Sequence, residues 1–73
     1  MDLTELDNKK RARVIEINGG HNAIARLEAL GIRPGKYITK LSAHFWKGPV
    51  TIMVDRTKVA VGHGMAKRIM VEE

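Results

Sequence analysis

The chain has 73 residues, 44% of them hydrophobic and 29% charged, with a net charge of +5. That is one domain of ordinary globular composition, which argues against a disordered segment and leaves no room for a second core. Cysteine is absent, which excludes disulfides, thiolate metal sites and cysteine nucleophiles, and no apolar run approaches the roughly 20 residues of a membrane-spanning helix.

The N-terminal stretch Met1 to Leu6 is acidic and lacks the apolar run of a signal peptide, so the expected location is the cytoplasm. Leu3 and Leu6, three residues apart, suit one helical turn or a short edge piece over the core. Lys9, Lys10, Arg11 and Arg13 form the one dense basic run and read as a solvated strand edge. A surplus of positive charge fits nucleic acid, an anionic membrane surface or an acidic protein, and equally fits solubility alone.

Arg11 to Asn18 reads as the first strand, with β-branched Val14, Ile15 and Ile17. Val14 has the opposite parity to Ile15 and Ile17, so either both faces are covered or a bulge resets the register. After Gly19-Gly20, a helix is expected over His21 to Leu30, capped by Asn18, His21 or Asn22. Ala23, Ile24, Leu27 and Leu30 form its apolar, core-facing stripe. Gly31 sits where a helix ends in a left-handed residue, Ile32 folds back on the last turn, and Pro34-Gly35 predicts a type II turn. Lys36 to Ala43 reads as the second strand, again of mixed parity at Ile38 and Leu41. Gly48-Pro49 interrupts, and Val50, Ile52 and Val54 alternate cleanly as the third strand. Val59 and Val61 make a fourth, Met65-Ala66 a single helical turn, and Lys67 to Glu72 a last strand with Ile69 and Val71 inward. The fold class expected is mainly β with one or two short helices. It is a small closed or partly open barrel of about five strands, with a helix inserted after the first.

Several of these segments resemble one family. Leu3-Thr4-Glu5-Leu6, Ala12-Arg13-Val14-Ile15-Glu16-Ile17 and Gly19-Gly20 are similar to the FeoA family of ferrous iron transport proteins. So are Leu27-Glu28-Ala29-Leu30-Gly31-Ile32-Arg33-Pro34-Gly35, Gly48-Pro49-Val50 and Ala66-Lys67-Arg68-Ile69-Met70-Val71. The resemblance implies an SH3-like barrel that acts in the cytoplasm beside the membrane GTPase transporter FeoB, peripheral to the inner membrane through that partner and without inserting in it. The same domain ends iron-dependent repressors of the DtxR type, but no DNA-binding helices precede it here. Two loops, Asp7-Asn8-Lys9-Lys10 and Arg56-Thr57, lack the glycine usual in the family.

The residues point to binding, not catalysis. Ser42 is the one serine, and the glycine-containing stretches around His21 and His63 lack the lysine and hydroxyl of a phosphate-binding loop. His21, His44 and His63 are the metal candidates, for Fe2+ or another divalent transition metal, but no two have ligand spacing; no cofactor follows. Two stretches are expected to meet a partner. One is the helix end, with Leu30, Gly31 and Arg33 beside a groove floored by Leu30 and Ile32. The other is the loop with Phe45, Trp46 and Lys47, whose rings anchor a partner or fold down as a lid over the barrel end. Single-stranded nucleic acid is the alternative ligand, although one Trp and one Phe make a thin stacking platform. A spare strand edge would also admit a homodimer.

Overall fold

Period-2 burial builds most of the molecule. Its computed structural model describes residues 1–44 and 46–73. A 3-10 turn at Leu3–Glu5 precedes β1 (Arg11–Ile17), α1 (His21–Ala29), β2 (Tyr37–Ala43), β3 (Val50–Val54), β4 (Thr57–Val61), α2 (His63–Ala66) and β5 (Ile69–Glu72). The strands form one antiparallel sheet in the order β4-β3-β2-β1-β5. The edge strands β4 and β5 do not pair with each other, so this SH3-like sheet curls without closing, with α2 linking its two edges. The expected barrel is thus the partly open one.

The core lies on the inner face, where Val14, Ile38, Ile52, Val50, Ile69 and Val71 are all buried, and Leu27 and Ile32 cover it from the helix side. Both parity breaks resolve as bulges. On β1, Val14 pairs with Val71 and Glu16 with Met70, which leaves Ile15 as the extra residue, 40% exposed, while Val14 and Ile17 stay inside. On β2 the register shifts between Lys40 and Ser42, so Ile38 and Lys40 both point inward and Leu41 is the extra residue.

The helix end follows the expected chemistry. Gly31 has φ +87, its N–H donates to the Glu28 carbonyl at 2.9 Å, and the Ile32 N–H donates to the Leu27 carbonyl at 2.9 Å. These two bonds are a Schellman motif, and they carry Ile32 into the core over Leu27. Lys36 N–H then donates to the Arg33 carbonyl at 3.0 Å around Pro34 and Gly35 (φ +93), as a type II turn requires. The helix start differs from expectation: Gly20 occupies the N-cap and no side chain caps it. Asn18 is still part of the sheet, its N–H bonded to the Arg68 carbonyl at 2.7 Å, while His21 and Asn22 already lie inside the helix.

The chain start is clasped to the sheet. Asp2 and Glu5 form a reciprocal capping box, in which Thr4 N–H donates to Asp2 Oδ1 and Asp2 N–H donates to Glu5 Oε1, both at 2.8 Å. Asp2 bridges Met70, and Val71 N–H donates to the Met1 carbonyl at 2.8 Å, which covers the outer edge of β5. Among the described residues, the outer edge of β4 has no strand partner.

Candidate functional site

Three surfaces stand out, and they lie in different places. The first is a small groove of about 110 Å³ between α1 and the β4–α2 corner. Arg26, Leu27 and Leu30 line it from the helix, Ala60, Val61 and Gly62 from the strand end, and Met65 from α2. Leu27 is its buried floor, whereas Leu30 is 47% exposed at its rim. The helical stripe is therefore not wholly core: the helix stops one residue before Leu30, which turns outward as Ile32 turns in. The floor expected from Leu30 and Ile32 is corrected accordingly, because Ile32 is fully enclosed and lines no groove. Arg33 is exposed beyond the helix end.

The second surface is a polar depression of about 380 Å³ on the outer face of the sheet, lined by Arg11, Gly35, Lys36, Tyr37, Thr39, Met53 and Asp55. Its charges are largely satisfied within the molecule. The Arg11 guanidinium lies 4.3 Å from the centre of the Tyr37 ring, and Lys36 Nζ pairs with Asp55 at 2.7 Å. Beside it Arg13 pairs with Glu72, whose carboxylate raises the pKa of the guanidinium above its ordinary value. Cations already engaged by an aromatic ring and two carboxylates are poor free ligands for phosphate.

The third is the tip of the β2–β3 hairpin. Trp46 is 98% exposed, so it is no lid. Trp46 and Lys47 are consecutive left-handed residues, φ 60 and 61, and the His44 N–H bonds the Pro49 carbonyl at 3.2 Å across the base. Phe45, the other expected anchor, lies outside the described residues.

The expected partner residues thus split into two groups. A Cβ on Gly31 would lie 3.3 Å from Val54, at one end of β3, while Trp46 lies beyond Val50 at the other. Four strand residues separate those ends, about 13 Å. The histidines are also dispersed: His21 opens α1, His44 follows β2, and His63 opens α2. Among the described residues, no three histidine or carboxylate side chains come close enough to hold a metal ion.

Two functional-looking features were not read from the sequence. Lys40 is buried at 4% exposure, and its ammonium donates to the carbonyls of Leu6 and Thr4. The Asp2-to-Glu5 box has the spacing of a capping box and could have been found from it.

The comparisons with known proteins agree with this geometry. The FeoA domain family matches residues 1–73. A putative Fe(2+) transport protein A from Methanocaldococcus jannaschii is 35% identical over 60 residues, 82% of this chain and 71% of that one. A crystal structure of an iron uptake regulatory protein, FeoA, superposes with a TM-score of 0.87 at 37% identity, covering 97% of this chain and 92% of the other. The solution structure of the FeoA protein from Chlorobium tepidum gives 0.89 at 24% identity, covering 99% and 69%. Zinc-bound ScaR gives 0.90 at 22% identity, with all of this chain matching 36% of that one. At these lower identities the likeness speaks for the fold.

Proposed function

Because the chain belongs to the FeoA domain family, we propose that it is a non-enzymatic accessory protein of ferrous iron uptake that docks on the cytoplasmic GTPase part of a FeoB-type transporter. The observation that carries the docking surface is the rim of the α1 groove, where Leu30 stands half-exposed over the buried Leu27. An apolar side chain left at the edge of a groove gains by burial against a partner, at about 25 cal/mol per Å² covered. Arg26 beside it and Arg33 beyond the helix end favour an acidic partner segment. Ferrous ion is then cargo of the transporter, since the three histidines of this chain sit on separate elements. The open edge of β4 borders the same groove and is where a second copy would pair.

The test is a titration of the nitrogen-15-labelled protein with the soluble GTPase domain of the cognate transporter. Amide shifts gathered on Arg26 to Gly31, Ala60 to Gly62 and Met65 support docking at the groove. An unchanged spectrum at high partner concentration removes the GTPase domain as the target.

A further inference from the structure

We propose that the β2–β3 hairpin tip is a membrane-surface contact, in which Trp46 lies in the interfacial layer of an anionic bilayer and Lys47 meets the lipid headgroups. Folding does not account for Trp46: its ring is 98% exposed and lines neither depression of the surface. A large ring left wholly in water is unusual on a small domain and marks an interaction site. The backbone presents it deliberately. Trp46 and Lys47 both hold left-handed φ angles that side-chain-bearing residues adopt only under local strain, and the His44–Pro49 hydrogen bond closes the base of the loop.

Shape and charge identify what covers the ring. A protein hot spot is an aromatic surrounded by further contacts that exclude water. Here the described neighbours of Trp46 at the tip are His44, Lys47, Gly48 and Pro49, so the ring projects with no apolar surround. The bilayer interface accepts such a lone Trp, because the amphipathic ring alone matches the headgroup layer. Lys9 N–H bonds the Lys40 carbonyl at 2.6 Å and Lys40 N–H bonds the Lys10 carbonyl at 2.9 Å, which sets Lys9 and Lys10 beside the strand that leads to the tip. Among the described residues, Lys9, Lys10 and Lys47 are exposed and in no ion pair. Three free cations behind and beside one exposed Trp complement a negative leaflet, in a chain of net charge +5. The contact lies in the interface and spans nothing. It is independent of docking through the groove, though it would raise the local concentration of the protein beside any membrane partner.

Trp46 is the single tryptophan, so its fluorescence reports on the tip alone. The full chain is titrated with vesicles of phosphatidylcholine mixed with phosphatidylglycerol, and with vesicles of phosphatidylcholine alone. The expected result is a blue shift and a several-fold fall in iodide quenching with the anionic vesicles only, reversed by high salt. Co-sedimentation with those vesicles should be lost in Trp46→Ser and weakened several-fold in Lys47→Glu, with the melting temperature of both variants unchanged. Unaltered emission with anionic vesicles overturns the proposal, as does an equal response to the neutral ones. A shift produced by the transporter GTPase domain but not by vesicles assigns the tip to a protein pocket and overturns it too.

Discussion

The ammonium of Lys40 reaches across from β2 to donate to the Leu6 carbonyl at 2.6 Å, and it donates a second bond to the Thr4 carbonyl at 3.1 Å. A cation at 4% exposure is tolerated because these oxygens replace its water, and no buried side-chain polar atom among the described residues lacks a partner. The lysine therefore acts as a peg that holds the N-terminal 3-10 turn, and Leu3 and Leu6 with it, over the core. Lys40→Met keeps the apolar stem but strands both carbonyls. Charged hydrogen bonds of this kind contribute about 1.5–3 kcal/mol, a large share of the roughly 3–5 kcal/mol net that so small a core supplies. The variant should melt about 10 °C lower. Its amides from Leu3 to Leu6 should also exchange faster. A midpoint within about 2 °C of the parent would show that the peg holds nothing.

Backbone handedness gives predictions of opposite sign. Gly31→Ala meets both an unfavourable φ of +87 and the Val54 methyl at 3.3 Å, so it should lose about 1–2 kcal/mol. Gly35→Ala has a similar φ, +93, but open space around it, and should lose only the strain, about 1 kcal/mol. Lys9 is the reverse case, a side-chain-bearing residue at φ 68 in a loop where glycine is usual in the family. Lys9→Gly should gain up to about 1 kcal/mol. Urea unfolding of the three variants orders them directly, and equal losses at Gly31 and Gly35 would show that the Val54 contact carries no penalty.

Where the sequence was legible, a local rule was enough. The Gly31 end of α1 and the Pro34-Gly35 turn follow from residues that hold few other conformations, and β3 follows from strict alternation at Val50, Ile52 and Val54. Bulges made β1 and β2 harder. The extra residues Ile15 and Leu41 shift parity, so which of Val14, Ile15 and Ile17 faces inward depends on pairing with β5, a partner more than fifty residues away. Lys40 was illegible for the same reason, because its inward place exists only once the bulge and the N-terminal turn are both formed. Leu30 was misread as core since a periodic stripe cannot show that the helix stops one residue short of it. The two candidate surfaces were found separately, but their position at opposite ends of β3 belongs to the sheet register alone.

Acid should loosen the same N-terminal clasp. Burial pushes the Asp2 carboxyl up, but the bonds from the Thr4 hydroxyl, the Thr4 and Glu5 backbone N–H groups and the charge of Lys67 outweigh it, leaving the pKa below the ordinary 3.8. As pH falls, the unfolded chain takes up this proton first. The stabilisation is therefore fully present above 3.8 and is lost as pH drops through the folded value. Asp2→Asn keeps a capping oxygen and has nothing to titrate. The difference in urea midpoint between parent and variant should be constant from neutral pH to about 5 and should shrink below 3.8. A pH-independent difference would mean that another group carries the acid sensitivity.

Leu27 and Leu30, one helical turn apart, should separate folding from docking. Leu27 is 2% exposed in the core, and Leu27→Ala should lose about 2–5 kcal/mol, enough to unfold much of the population. Leu30 is 47% exposed, and Leu30→Ala should move the melting temperature by only a few degrees, about 0.5 kcal/mol. Its effect belongs to the partner: calorimetric titration with the transporter GTPase domain should show affinity reduced about tenfold or more, because a half-exposed leucine at a groove rim is covered only when the groove is filled. Arg33→Glu, exposed beyond the helix end, should likewise leave the melting temperature unchanged and weaken the complex, more so at low salt. If Leu30→Ala binds as the parent does, the groove is not the docking surface. If it unfolds the domain, the side chain is core, and its exposure at the rim has been given the wrong meaning.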